Sequence, residues 1–166
     1  MGHKENKIKF YFLFSSRKKT RNPKNKYEES PLNGYNKMSS VENQILYEIP
    51  NGKLGFANLL NQNPGVIIIK LGAEWCGPCK KIEHDVTEWM KKMPSDTIQC
   101  VILDIDESFE LYATLKQKKM VNGIPAILAY HKGNTSIIPD DTVIGADLNQ
   151  IKLLFDRCYY RGSMKL

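Results

Sequence analysis

Two apolar runs dominate the middle of the chain, Val66 to Leu71 (VIIIKL) and Ile98 to Ile105 (IQCVILDI). Both are rich in β-branched residues and apolar on both faces, which predicts central strands covered on each side. Between and around them the apolar period changes. Leu54, Phe56, Ala57, Leu59 and Leu60 fall at helical spacing within Lys53 to Asn61, a segment ended by Asn63-Pro64-Gly65. Cys79, Ile82, Val86, Trp89, Met90 and Met93 recur at three- and four-residue intervals, a helix stopped by Pro94. Ser108 to Lys116 reads as a shorter helix with Ser108 as its N-cap. Leu148 to Cys158 reads as a last helix, with Leu148, Ile151, Leu154, Phe155 and Cys158 on one face. Gln44 to Ile49 (QILYEI), closed by Pro50-Asn51-Gly52, predicts a short first strand. Ala126 to Tyr130, the turn His131-Lys132-Gly133-Asn134, and Ile137 to Ile144 predict a hairpin with a long connection.

Strand, helix, strand, helix, strand, helix, hairpin and helix make an α/β order. It implies a mixed central β-sheet with a parallel part and helices on both faces. The length of 166 residues suits one domain, or one domain plus a tail. Apolar residues at 42% and charged residues at 25% exclude collagen-like, fully disordered and disulfide-dense chains. No run approaches the ~20 apolar residues of a membrane-spanning helix.

The net charge of +6 divides unevenly. Residues 1–40 carry ten Lys/Arg against three acids (+7), and residues 41–166 carry fourteen against fifteen (−1). The basic character therefore belongs to the first forty residues. Residues 15–40 collect Ser, Asn, Pro, Gly and Lys, a composition that cannot bury a core. The expected division is a basic extension over 1–40, a folded domain over 41–160 and a short tail over 161–166. Within the extension, Ile8 to Phe14 (IKFYFLF) is interrupted by Lys9 and followed by Arg17-Lys18-Lys19. It lacks both the apolar core of about 7–15 residues and the cleavage site of a secretory signal. The extension is left as a solvated tail or as a tether to an acidic partner or nucleic acid, with Met38 as a candidate start.

The chemistry concentrates in Trp75-Cys76-Gly77-Pro78-Cys79-Lys80, where the strongest strand hands over to a helix. A C-x-x-C in a strand–helix setting points first to redox work. Two thiols in the first helical turn can close a disulfide. Cys76 stands at the helix N-terminus, where unpaired N–H groups and the dipole favour a thiolate, the attacking species in disulfide exchange. Pro78 suits a first turn, where a missing N–H costs nothing. Cys79 falls on the apolar face and is expected to be the more buried, so Cys76 attacks and Cys79 resolves. A zinc site would need two further closely placed ligands, and Cys100, Cys158 and His84 do not supply them. A purely structural disulfide is a poor alternative, because so short a loop removes little chain entropy. Cys100, alternating with Ile98 and Ile102, reads as a buried inert thiol. Cys158 reads as core, with a regulatory or intermolecular thiol as the alternative, and His84 and Asp85 as solvated.

The string AEWCGPCK (Ala73 to Lys80) resembles the active-site signature of the thioredoxin family. The resemblance continues through Asp104-Ile105-Asp106, Gly123-Ile124-Pro125, Lys132-Gly133 and Gly145-Ala146, over roughly residues 44–158. It implies the thioredoxin fold and a protein disulfide oxidoreductase without a bound cofactor or metal. It also implies that Pro125 is cis and faces the cysteines, and that Trp75, Ile124, Pro125, Gly145 and Ala146 line an apolar groove for an extended substrate peptide. For Asp104 and Asp106 a turn or capping role is expected. The Gly77-Pro78 pair is similar to that of reducing members. The Lys-, Asn- and Ile-rich composition is similar to thioredoxin-domain proteins of large DNA viruses, which would add the virion to the possible locations.

Three positions depart from the family pattern. Lys70 stands where a buried Asp is usual, Ile102 where a partner Lys is often found, and Gly72 where a bulky residue is common. A buried Lys either loses its proton or snorkels to water. Charged and close to Cys79, it would favour the thiolate and make the protein a stronger oxidant than Gly77-Pro78 suggests. Pointing to a sheet edge, it would do nothing. The resulting expectation is a disulfide reductase in the cytoplasm or another reducing compartment, fed by a reductase or a thiol pool and acting on protein disulfides. The alternative is a thioredoxin-fold adaptor held in an assembly by its basic tail.

Overall fold

The computed structural model describes residues 42–164, so the expectations for the basic extension lie outside the described residues. Four helices and four strands follow in the order α1 (Gly52–Asn61), β1 (Val66–Gly72), α2 (Gly77–Lys91), β2 (Ile98–Asp104), α3 (Phe109–Gln117), β3 (Ala126–His131), β4 (Asp141–Ile144) and α4 (Leu148–Ser163). The sheet runs β2-β1-β3-β4. β1 pairs parallel with β2, from Val66 opposite Ile98 to Gly72 opposite Asp104. It pairs antiparallel with β3, from Val66 opposite His131 to Leu71 opposite Ala126, and β3 pairs antiparallel with β4. This is the mixed α/β sheet that the order of elements implies.

The continuous apolar run of β1 follows from its place, since every one of its residues is buried. Successive side chains leave a strand on opposite faces. Ile67, Ile69 and Leu71 pack with Phe56 and Leu60 of α1 and Leu111 and Leu115 of α3. Val66 and Ile68 pack with Ile82, Val86 and Met90 of α2 and Ile151, Leu154 and Phe155 of α4. Lys70 shares the parity of Val66 and Ile68, which places it under α2.

Three expectations are corrected. Gln44 to Ile49 does not form a strand; it makes one parallel bridge, Leu46 to Val101. The ladder fails to extend because neighbouring backbone groups find other partners: the Gln99 side chain donates to Gln44 O at 3.0 Å, and buried Asn43 donates to Ile98 O at 2.6 Å. The hairpin's second strand begins at Asp141 rather than Ile137. Side chains hold the preceding loop: Asn134 accepts from Ser136 N–H, Ser136 accepts from Ile138 N–H, and Asp140 accepts from His131 N–H at 2.7 Å. Ser108 does take the expected N-cap position of α3, without a capping side-chain bond. α4 continues to Ser163, past Cys158 and into the segment expected as a tail. Its last turn is held against the sheet through Gly162, where a Cβ would come 2.8 Å from Ile98 Cγ1. Its first turn is capped by Asp147, which accepts from Asn149 and Gln150 N–H.

Candidate active site

Parallel pairing brings the C-terminal ends of β1 and β2 together, and the loop from Ala73 to Cys76 leaves from that end. It is tied down from β2: Ile105 N–H donates to Gly72 O at 2.9 Å, and Asp104 accepts from Glu74 N–H at 3.2 Å and from Asp106 N–H at 2.8 Å. Asp106 accepts from the Trp75 indole N–H at 2.8 Å, fixing a ring that is 67% exposed. Asp104 thus has the turn role expected of it, whereas the grip of Asp106 on Trp75 depends on a tertiary contact that spacing does not reveal.

Cys76 is the N-cap of α2 in extended backbone, with Gly77 and Pro78 opening the helix. Pro78 costs no hydrogen bond there, because first-turn N–H groups have no carbonyl partner within the helix. One of those N–H groups, that of Cys79, donates to Cys76 Sγ at 3.2 Å. The two cysteines are joined as a disulfide, with Cα atoms 5.2 Å apart. The expected difference in burial is absent, since Cys76 is 5% and Cys79 4% exposed. What separates them is direction. Cys76 Sγ lies at the helix terminus, whereas Cys79 lines a cavity of about 210 Å³ behind it, shared with Lys70, Gly72, Glu83, Ile102 and Asp104.

Lys70 is itself buried, at 4% exposure, in a strand between two others rather than at a sheet edge. Burial pushes its pKa below the ordinary lysine range, and nearby Glu83 partly offsets this. The Ile124–Pro125 peptide is cis, and Pro125 is buried. Pairing of Leu71 with Ala126 sets Pro125 at the same end of the sheet as the cysteines. Gly145, at a φ of 103° that only glycine adopts freely, donates its N–H to Pro125 O at 2.8 Å. Ile124 and Ala146 are half-buried beside these turns. His84 is solvated, its side chain 87% exposed.

Cys100 and Cys158 are buried free thiols remote in sequence from this turn. Burial pushes both thiol pKa values up, that of Cys158 to about 12.

A disulfide whose first sulfur sits on a helix N-terminus, at the carboxyl end of a parallel strand pair, defines a dithiol redox protein. Comparison with known proteins specifies which kind. The family model described as Thioredoxin matches residues 50–154. Among curated relatives, Thioredoxin 1 of Plasmodium falciparum is 27% identical over 112 residues, covering 68% of this chain and 97% of that protein. A thioredoxin of Rickettsia typhi is 30% identical over 103 residues, covering 62% and 88%. Among solved structures, Malassezia sympodialis thioredoxin superposes with a TM-score of 0.55 at 21% identity, covering 76% of this chain and 97% of that one, a likeness of fold. The chain belongs to the thioredoxin family, with the family's fold and a close cysteine pair fit for thiol–disulfide exchange.

Proposed function

We propose that this protein reduces disulfides of other proteins, with Cys76 attacking and Cys79 resolving. The observation that carries the reading is the hydrogen bond from Cys79 N–H to Cys76 Sγ at the first turn of α2. In the reduced protein the same N–H groups and the helix dipole stabilise a Cys76 thiolate. That thiolate attacks a substrate sulfur, breaking the substrate disulfide and forming a mixed disulfide. Cys79, its Cα 5.2 Å from that of Cys76, then attacks Cys76 Sγ. The Cys76–Cys79 bond forms, the second substrate sulfur leaves as a thiolate and is protonated, and two electrons have passed to the substrate.

Trp75, Ile124, Pro125, Gly145 and Ala146 form the surface for an extended substrate segment. The exposed Trp75 ring and the Gly145-to-Pro125 hydrogen bond support that reading. Electrons come from a reductase or a thiol pool in a reducing compartment. Among the described residues no helix is long and apolar enough to cross a membrane. The +7 of residues 1–40 supports a salt-sensitive tether to an acidic partner or nucleic acid, read as binding lost by a chain starting at Met38. The relatives named above are proteins of cellular organisms.

The test is dithiothreitol-driven reduction of a model disulfide protein by wild type and by Cys76→Ser. Activity is expected only in the wild type. Equal rates would favour the adaptor reading.

A further inference from the structure

The exchange reaction uses Cys76 and Cys79 and leaves one buried charge without a task. Among the described residues, Lys70 is the one charged side chain in the buried set, and no described residue hydrogen-bonds or ion-pairs with its ammonium. An ammonium is costly to bury unless something repays its lost hydration. Lys70 shares the cavity behind the active-site turn with Cys79, and that volume is ample for water. A Cβ at Gly72 would stand 3.6 Å from Cys79 Sγ and 3.9 Å from Lys70 Cε. Glycine at this position therefore keeps an open gap between the resolving sulfur and the lysine stem. The other charged groups lining the space are Glu83 and Lys80 from α2, Glu74 from the site loop and Asp104 from the end of β2. From β3, Lys70 is faced in register by apolar Ile127.

We propose that Lys70 is a positioning residue for the resolving step, its ammonium holding Cys79 as a thiolate across the gap that Gly72 leaves open, with exposed Glu83 at the pocket mouth opposing it. The inference rests on the reading that Cys79 is the resolving thiol. Cys79 has given up its proton to solvent through the pocket mouth before it attacks, and the ammonium holds the resulting anion. The Cys79 sulfur then bonds to Cys76 Sγ as the bond from Cys76 to the substrate breaks, and the substrate sulfur leaves as a thiolate. In the disulfide form the ammonium has no sulfur anion to face; after reduction it has one. The lysine therefore favours the reduced protein and moves the couple toward the oxidising side. Lys70 and Cys79 titrate as a coupled pair, since each favours the charged form of the other.

The test uses the full chain carrying Cys76→Ser, with Cys79 thiolate followed by its ultraviolet absorbance as pH rises. Cys158 stays out of the way, its thiol being pushed up to about 12. An opposite charge a few ångströms away shifts a pKa by about 1–3 units. Lys70→Met is expected to raise the Cys79 midpoint by about one unit or more, and Glu83→Gln to lower it by less. With Cys76 restored, Lys70→Met is expected to move the equilibrium with glutathione about tenfold toward the disulfide, measured above the Cys79 midpoint. An unchanged midpoint in Lys70→Met, or shifts of the same sign in both variants, would overturn the proposal. Should Lys70→Met fail to fold, Glu83→Gln on the exposed face of α2 carries the test, and an unchanged midpoint there overturns it. Failure of the reductase reading is separate: it shows as activity surviving Cys76→Ser, whatever Cys79 does.

Discussion

The four cysteines form two groups that burial does not distinguish. Cys76 and Cys79 are 5% and 4% exposed, and Cys100 and Cys158 are 0% and 1%. Their surroundings differ completely. Cys76 receives an N–H from the first turn of α2, and Cys79 opens onto a cavity bordered by Lys70, Glu83 and Asp104. Cys100 and Cys158 lie among Val66, Ile82, Val86, Ile98 and Phe155 between the sheet and the α2/α4 layer. There no described hydrogen-bond donor faces the thiolate, and burial is the main cause that raises the pKa, helped by Cys158 at Cys100 and by Asp141 at Cys158, where Arg157 partly offsets it. Thiol chemistry in this protein is set by what faces the sulfur, and a helix terminus and a polar cavity do what depth in the core cannot.

The largest expected effect follows at once. Cys76→Ser should lower disulfide reduction to the background of dithiothreitol alone, whereas Cys100→Ala and Cys158→Ala should stay near the wild-type rate. A Cys158→Ala loss as deep as that of Cys76→Ser would break the comparison. The reverse contrast is expected in stability. Cys158→Ser places a hydroxyl among apolar side chains and should cost about 1–3 kcal/mol, read as a lower urea midpoint with activity retained. In native reduced protein an alkylating reagent near neutral pH should label Cys76 and Cys79 and spare Cys100 and Cys158 until denaturant is added, as peptide mapping will show.

A smaller effect concerns Lys70 and pH. Its pKa is lower in the folded than in the unfolded chain. Between that lowered value and the ordinary lysine value the unfolded state binds the extra proton, so stability rises with pH across this window. Urea midpoints of the oxidised protein should show that rise, and Lys70→Met should flatten it. Smallest is Asp106→Ala, which frees the Trp75 indole. Losing that hydrogen bond, worth about 0.5–1.5 kcal/mol, should raise KM for a protein substrate severalfold and leave kcat nearly unchanged.

The parts of this picture that could be read from sequence are those encoded locally. VIIIKL reads as a central strand because burial on both faces removes alternation, and WCGPCK places both thiols and a tolerated proline in one helical turn. The parts that could not are set by contacts distant in sequence. QILYEI has the composition of a strand, but the Gln99 and Asn43 side chains take up neighbouring backbone groups and leave one bridge. Ile137 to Ile144 looks like a continuous strand until Asn134, Ser136 and Asp140 hold the loop before it. Trp75 meets Asp106 only because β1 and β2 end side by side. For Lys70 the sequence allowed both an edge and a core position. The strand order and the gap at Gly72 place it behind Cys79.

The division of labour between the two site cysteines is the central claim, and trapping tests it most directly. Reduced Cys79→Ser protein, incubated with a disulfide-bonded protein substrate, should accumulate a covalent complex that mass spectrometry maps to Cys76 and that dithiothreitol releases. Reduced Cys76→Ser protein should form none. A complex that forms through Cys79 in the second variant, or fails to form in the first, would contradict the account.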